Sequence, residues 1–117
     1  MLFQAIAKKK QLAEFTLDIL SMVIKYYFYI LECSNGKRYY GHTNDLIKRF
    51  IRHSRGQVKS TKNIRPVKLV YYEEFDTKPQ AYKREIQFKN GKTRKETIEK
   101  LIKVFPVTKC QGFNSHL

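Results

Sequence analysis

The sequence predicts an α+β domain, in which a three-stranded antiparallel sheet is flanked by helices in the order β-β-α-β-α-α. Three observations support this prediction. Two aromatic, β-branched segments flank a turn at residues 34–36, a third such segment follows a helical pattern, and two helix-start signals come after it. The chain has 117 residues, enough for one hydrophobic core, so we expect one domain over residues 25–105.

The strands are predicted by composition and alternation. Tyr26–Glu32 is rich in aromatic and β-branched residues, and Lys37–His42 follows it after the turn, so the two form a predicted hairpin. Val67–Phe75 alternates between apolar and polar residues, which is typical of a half-buried strand.

Start and stop signals predict three helices. Asn44 is the predicted N-cap of a helix that runs to about Arg55 and is stopped by Gly56. Capping boxes open the other two. The first box is residues 77–80, Thr-Lys-Pro-Gln, for a helix that ends at the Asn-Gly pair 90–91. The second is residues 93–96, Thr-Arg-Lys-Glu, for a helix that ends near Lys103.

The two ends of the chain have weaker patterns. Residues 1–24 are predicted to be an N-terminal extension with a weakly amphipathic helical pattern. This extension is either an accessory helix that contacts a protein partner or a stretch upstream of a natural start at Met22. Residues 106–117 are predicted to be a loose C-terminal tail, because Pro106 ends regular structure.

Charge is the strongest compositional signal. The chain has 24 Lys and Arg against 10 Asp and Glu, a net charge of +14. A folded domain with this field attracts a polyanion. An inert basic surface is the alternative, but the basic groups cluster beside polar aromatic residues, which favours nucleic acid.

Cysteine spacing and hydropathy set the expected compartment. Cys33 and Cys110 lack the spacing of zinc ligands, so free thiols in a reducing cytoplasm are expected. The apolar run at residues 16–24 is too short for a membrane span and contains Asp18. We therefore expect a cytoplasmic protein with no membrane partner.

Helical periodicity identifies three candidate site residues. Arg49 and His53 are one turn apart at the margin of the apolar stripe of the helix 44–55, where the helix would meet the sheet. Glu85 falls within the apolar stripe of the helix after Thr77. A carboxylate there needs a compensating cation, which is either a metal ion or a salt-bridge partner such as Arg84, Arg49 or a lysine.

Further basic residues surround one end of the helix 44–55. Each alone is an ordinary solvated charge, but their grouping predicts contacts with phosphates. They are Lys48, Arg52, Arg55, Lys59, Lys62 and Arg65.

Several short motifs in order resemble the GIY-YIG nuclease family, in particular its small stand-alone members. They span about Tyr26 to Ile102. The motifs are the triplets 28–30 (Phe-Tyr-Ile) and 39–41 (Tyr-Tyr-Gly), the pair Asp45-Leu46 that leads to Arg49 and His53, residues 65–73, and residues 81–85 (Ala-Tyr-Lys-Arg-Glu). Two departures are visible: the first triplet lacks glycine, and Tyr40 replaces an aliphatic residue in the second.

The resemblance implies a metal-dependent endonuclease that hydrolyses phosphodiester bonds of DNA, with RNA left open. It implies that Glu85 binds Mg²⁺ (or Mn²⁺), that Arg49 and His53 contact the scissile phosphate, and that Tyr29 and Tyr39 orient or deprotonate the attacking water. Which tyrosine acts as the base stays open.

Three neighbouring residues have less certain roles. His42 either joins the site or only packs, Lys89 is a candidate phosphate contact, and Gly41 would leave space beside Tyr29 for a phosphate. Two other functions are weighed against a nuclease. One is a nucleic-acid-binding module without cleavage, and the other is a structural domain that binds a partner through its N-terminal segment. An inward carboxylate favours the nuclease, because it repels phosphate unless a metal intervenes.

The hairpin register tests this site, since both tyrosines must lie on one face of the sheet. A two-residue Asn-Gly turn would place them on opposite faces. A three-residue loop at 34–36 pairs Cys33 with Lys37, and places Tyr29 opposite Gly41 and Tyr39 opposite Leu31. We therefore predict the three-residue loop or another register of the same parity, with both hydroxyls facing one groove together with Arg49 and Glu85.

Overall fold

The computed structural model describes residues 24–115. Its sheet has three antiparallel strands, β1 (Tyr26–Cys33), β2 (Arg38–Thr43) and β3 (Val67–Phe75), in the order β2-β1-β3. The predicted α+β class and its three-stranded antiparallel sheet are confirmed. The predicted N-terminal helix falls on residues that lie, apart from Ile24, outside the described part of the chain.

The hairpin between β1 and β2 has the predicted register. Tyr29 pairs with Gly41 and Leu31 pairs with Tyr39. The loop has three residues: the amide of Cys33 donates to the carbonyl of Lys37 at 2.9 Å, and Gly36 has a φ of +80°. A two-residue type I′ turn would need a positive φ at Asn35 as well, but no non-glycine residue has one among the described residues, so Gly36 alone supplies the left-handed residue of the three-residue loop.

Within residues 24–115, four helices and one short 3₁₀ segment pack on this sheet. They are α1 (Leu46–Ser54), the 3₁₀ segment (Lys62–Ile64), α2 (Lys78–Lys89), α3 (Lys95–Val104) and α4 (Thr108–Asn114). The capping box at Thr77 and Gln80 is present in full. Within the described residues, no helix is both long and apolar enough to cross a membrane.

Two predicted caps are wrong. Asp45, and not Asn44, caps α1, because its carboxylate accepts the amide of Lys48 at 3.0 Å. The second predicted capping box does not form: Arg94 stands at the N-cap of α3, and the Thr93 hydroxyl donates instead to the carbonyl of Gln87 at 3.5 Å. Asp45 and Asn44 are equivalent N-cap signals, so sequence alone did not discriminate between them, whereas Arg94 makes no side-chain capping hydrogen bond.

The predicted loose tail after Pro106 is also wrong, because it contains α4. Cys110 of this helix is buried in the core. The Asn114 side chain accepts the amide of Leu69 at 2.9 Å and donates to its carbonyl at 3.0 Å. Since β3 is an edge strand, its outer backbone groups are free for such a partner. Pro106 precedes a helix here and does not end the fold.

The helices divide between the two faces of the sheet. Alternate side chains of β1, such as Tyr29 and Leu31, pack with α1 and α4. The others, such as Phe28 and Ile30, pack with α2 and α3. Both faces of β1 are therefore buried, and β2 is an edge strand between the two helical layers.

Candidate active site

Tyr29 is the centre of the first group of predicted site residues. It lies in the middle of β1 and is 1% exposed. Its ring lies directly against Gly41: a Cβ atom added there would be 2.5 Å from both Cζ and Oη of Tyr29. The space beside Gly41 is therefore filled by the tyrosine ring, and the prediction that a phosphate could use it is wrong.

Two side chains of α1 converge on the Tyr29 hydroxyl. His53 Nε2 is 2.8 Å from the hydroxyl oxygen, and Arg49 Nε donates to that oxygen at 3.3 Å. The two residues are one helical turn apart, so one face of α1 delivers both to the same atom. The predicted pairing of Arg49 and His53 at the helix–sheet junction is thus present in the structure.

Tyr39 lies on the same face of the sheet as Tyr29. The two ring centroids are 6.1 Å apart, and the Tyr39 ring is 4.8 Å from that of His53 in an edge-on arrangement. Tyr39 is only partly buried, whereas Tyr29 is covered. The more accessible of the two hydroxyl-bearing rings is therefore Tyr39.

Thr61 is a member of this group that sequence reasoning missed. Its hydroxyl oxygen is 2.7 Å from His53 Nδ1, and the residue is completely buried. It lies in the polar loop between α1 and β3, where a lone threonine has no distinguishing sequence signal. Thr61 follows His53 by eight residues, and it lies in a loop and not in the same helix, so helical periodicity could not reveal the contact.

Burial controls the protonation of this group. Burial raises the pKa of Tyr29, and the hydrogen bond from Arg49 lowers it by less, so the phenol is neutral at physiological pH. Burial, with a smaller effect of the Arg49 and Arg52 charges, lowers the pKa of His53 to about 4. The imidazole is therefore neutral as well. Burial opposes the charge of Arg49, but the two tyrosine hydroxyls raise its pKa above the ordinary value.

Glu85 forms a second group with different partners. It is 7% exposed on α2, and its carboxylate lies 3.2 Å from His42 Nδ1 and 3.5 Å from Lys89 Nζ. Of the partners considered for it, a lysine is the one that pairs with it. Arg84 instead binds Glu73, at 2.8 Å and 3.2 Å.

The two groups lie on opposite faces of the edge strand β2. His42 and Tyr39 are three residues apart, so their side chains project to opposite faces. Lys89 links the groups, because its ammonium is 5.9 Å from the centroid of the Tyr39 ring while it pairs with Glu85. The expectation of one shared face holds for Tyr29, Tyr39 and Arg49, and Glu85 approaches from the other side of β2.

Most of the predicted phosphate contacts are exposed on α1 and the loop after it. Lys48, Arg52, Arg55, Lys59 and Lys62 are exposed and have no salt-bridge partner within residues 24–115.

Arg65 differs from these residues. Its guanidinium donates to the carbonyls of Lys62 at 3.0 Å and Ser54 at 3.4 Å, next to Gly56. This side chain therefore fastens the loop to the end of α1, although it is also exposed.

The described residues contain no cluster of three or more His, Cys, Asp or Glu side chains that could hold a metal ion.

Comparison with known proteins identifies the family. The GIY-YIG catalytic domain matches residues 25–99, and the chain belongs to this family, which is a family of nucleases. A UPF0213 protein of Staphylococcus saprophyticus is 48% identical over 73 residues, 62% of this chain and 89% of that protein. One of Pediococcus pentosaceus is 42% identical over 85 residues, 72% of this chain and 88% of that protein.

A solved structure gives a further match. The solution NMR structure of a UPF0213 protein from Bacillus halodurans is 32% identical and covers 69% of this chain and 85% of its own, with a TM-score of 0.44.

Proposed function

We propose that this protein is a metal-dependent endonuclease that hydrolyses phosphodiester bonds of DNA. The observation that carries the proposal is the meeting of Arg49 and His53 at the hydroxyl of Tyr29, with Tyr39 on the same face. A cation, a neutral imidazole and two phenols together provide donors and acceptors for a water molecule and a phosphate.

Arg49 is proposed to stabilise the charge that grows on the phosphate oxygens. Its guanidinium is held by Tyr29, which fixes its position before substrate binds. Donors that are already oriented need no reorganisation during the reaction, and this is the usual source of a large electrostatic contribution to rate. Tyr29 and Tyr39 are proposed to orient the attacking water and to accept its proton, with either tyrosine as the general base.

Glu85 is proposed to hold a divalent cation, Mg²⁺ or Mn²⁺. The donor set fits this role, since Mg²⁺ is commonly bound by one or two carboxylates together with water and substrate phosphates. The carboxylate is buried and pairs with Lys89 at 3.5 Å beside His42 at 3.2 Å, and this supports a position that accepts a positive charge. A bound cation would supply Lewis-acid polarisation of a phosphoryl oxygen.

The exposed basic residues of α1 and the following loop are proposed to bind the DNA backbone. Their lack of salt-bridge partners within residues 24–115 leaves their charges available to phosphates. The sequence has no motif typical of a protein that reads base edges in a groove, so we expect binding with little sequence preference. Lys89 is included as a phosphate contact, because it lies between the two groups.

A binding module without cleavage is the alternative function, and the same exposed basic residues favour it. The two functions are separated by incubating the protein with supercoiled, linear, single-stranded and branched DNA, and with RNA, in the presence of Mg²⁺ or EDTA. We expect Mg²⁺-dependent nicking that the Glu85→Gln variant lacks. Binding of these substrates without any cleavage would support the alternative.

A further inference from the structure

We propose that Tyr82 is a stacking platform that holds an unpaired nucleobase of the substrate beside the scissile phosphate. Tyr82 lies on α2 and is 50% exposed, and it is the one aromatic residue among the exposed large apolar side chains of residues 24–115. The other aromatic side chains in this part of the chain are buried or partly buried. The proposal rests on the proposed function for its effect on cleavage, whereas base binding is measured without cleavage.

The Tyr82 ring lies next to the carboxylate of Glu85. Its centroid is 5.3 Å from that of the His42 ring, and the two ring planes cross at 71°. Nδ1 of the same imidazole is 3.2 Å from the Glu85 carboxylate. Tyr82 and Glu85 are three residues apart on α2, so they are neighbours on one side of the helix. His42 therefore supports the Tyr82 ring beside the carboxylate that we propose to hold the metal ion.

The contact with His42 leaves the Tyr82 ring able to stack. When two rings meet edge to face, the contact covers at most one face of each ring. At least one face of Tyr82 is therefore free of His42. Neither hydrophobic cluster of residues 24–115 includes Tyr82, so the ring is not needed to cover the core. An aromatic ring that faces water beside a phosphate site suits a nucleobase, because every base has a face that stacks favourably on an aromatic side chain.

Stacking on Tyr82 requires a base that is not already stacked on both sides. An internal base of a duplex lies between its neighbours and must be extruded before it can contact a side chain. An unpaired base is free to leave the stack and to lie on an aromatic ring. A base is joined to its phosphate through one sugar, so a ring beside Glu85 is placed for the base that flanks the cleaved bond. The substrate that this arrangement favours has an unpaired nucleotide at the point of cleavage.

Binding in EDTA tests the platform without cleavage. One probe is a single-stranded thymidine oligonucleotide, and the other is a fully abasic oligonucleotide of the same length and charge, both followed by fluorescence anisotropy. We expect Tyr82→Ala to lose affinity for the base-bearing probe alone, by about 5- to 150-fold, which is the effect of one stacked base. Tyr82→Phe keeps the ring and should bind like the wild type.

Lys83→Ala is the matched control, because Lys83 is the next residue on α2 and is also exposed. This variant removes a charge and no ring, so any loss of affinity should be equal for the two probes. With a fully paired duplex probe, which offers no free base, Tyr82→Ala should match the wild type.

Two results would overturn the proposal. Equal losses for both probes in Tyr82→Ala would mean that the change disturbs His42 and Glu85 and removes no contact with a base. An unchanged affinity of Tyr82→Ala for the base-bearing probe would mean that no base lies on the ring.

Cleavage of single-stranded DNA with Mg²⁺ gives the catalytic part of the test. We expect Tyr82→Ala to raise KM by a factor similar to its loss of affinity, with a smaller change in kcat, because a stacked base is held in the ground state and in the transition state alike. If the wild type cleaves no nucleic acid, the nuclease function fails, while the two probes in EDTA still decide whether Tyr82 binds a base.

Discussion

The two sides of β2 hold polar groups in different ways. On the Tyr29 side, Thr61, His53 and Tyr29 form a buried hydrogen-bonded chain with distances of 2.7 Å and 2.8 Å, and the partly buried Arg49 donates to the Tyr29 hydroxyl at 3.3 Å. On the Glu85 side, the carboxylate lies 3.2 Å from His42 Nδ1 and forms an ion pair at 3.5 Å with the exposed Lys89. The first side is therefore joined by hydrogen bonds in the folded protein, and the second side is where we propose that a cation binds.

This difference follows from where the side chains come from. Tyr29 is on the central strand, and its ring is enclosed between α1 and the sheet. Glu85 is on α2 beside an edge strand, and one of its two partners is the exposed Lys89. In the proposed nuclease, the first side would supply preorganised donors for phosphodiester hydrolysis, and the second side would supply an adjustable metal ligand.

Among the variants considered, Glu85→Gln should reduce DNA cleavage the most. This change keeps the shape of the side chain and removes the charge that a metal needs. We expect cleavage to fall by about a thousandfold or more, since Lewis-acid stabilisation supplies several kcal/mol. DNA affinity should stay the same or rise slightly, because a negative charge is lost. The measurements are nicking rate and binding isotherms, with the exposed Glu74→Gln as control. A variant that still cuts at the wild-type rate would refute the metal-binding role.

On the Tyr29 side, Arg49→Ala should cause the next largest loss of DNA cleavage. The guanidinium is asked to stabilise charge that grows during the reaction, so the loss should fall on kcat, by about 100- to 1,000-fold. Arg52→Ala on the same helix is the matched comparison, since Arg52 is exposed and should affect mainly DNA affinity and its salt dependence. If Arg49→Ala changes affinity alone, Arg49 is an ordinary phosphate contact.

The buried state of His53 should also be visible in the pH dependence of stability. Its pKa is about 4 when folded, against the ordinary value of 6.5. Between these two pKa values the His53 imidazole is protonated in the unfolded chain and neutral in the folded protein. The free energy of unfolding therefore falls as the pH drops from 6.5 toward 4. The loss from this group is at most about 3 kcal/mol.

Urea unfolding of the wild type and His53→Gln across pH 4–7 checks this contribution. We expect the difference in unfolding free energy between the two proteins to shrink as the pH falls. A difference that is constant over this range would mean that the folded imidazole titrates normally.

The sequence predicted the Tyr29 side better than the Glu85 side for physical reasons. Tyr29 and Tyr39 follow from strand alternation and loop length, and Arg49 and His53 follow from helical periodicity, all of which are local rules. The face from which Glu85 approaches depends on how α2 packs on the sheet. That packing is a tertiary property, which the apolar stripe of the helix alone does not define.

The errors share a similar cause. Thr61 reaches His53 through a loop, and α4 is placed by a contact between Asn114 and the edge of β3, so neither leaves a periodic signal. Gly41 was expected to provide space for a ligand, but a glycine in a strand also permits close approach of a side chain. Local sequence could not distinguish a space that is filled by Tyr29 from one that is open to a phosphate.

Two glycine substitutions sharpen the comparison with the smallest expected effects. Gly41→Ala would place a Cβ atom 2.5 Å from Cζ and Oη of the buried Tyr29 ring. Because that ring is enclosed and its hydroxyl is held by His53 and Arg49, it cannot move without breaking those contacts. Overpacking of this kind costs about 1–3 kcal/mol.

Gly112→Ala is the matched control, since Gly112 lies in α4 with nothing within 4 Å of the added atom. An alanine there should stabilise the protein by about 0.5–1 kcal/mol, because glycine weakens a helix interior. Thermal and urea unfolding of both variants measure the two effects, which should have opposite signs. An equally stable Gly41→Ala protein would show that the Tyr29 ring can shift, and that the Tyr29 side of β2 is as adjustable as the Glu85 side.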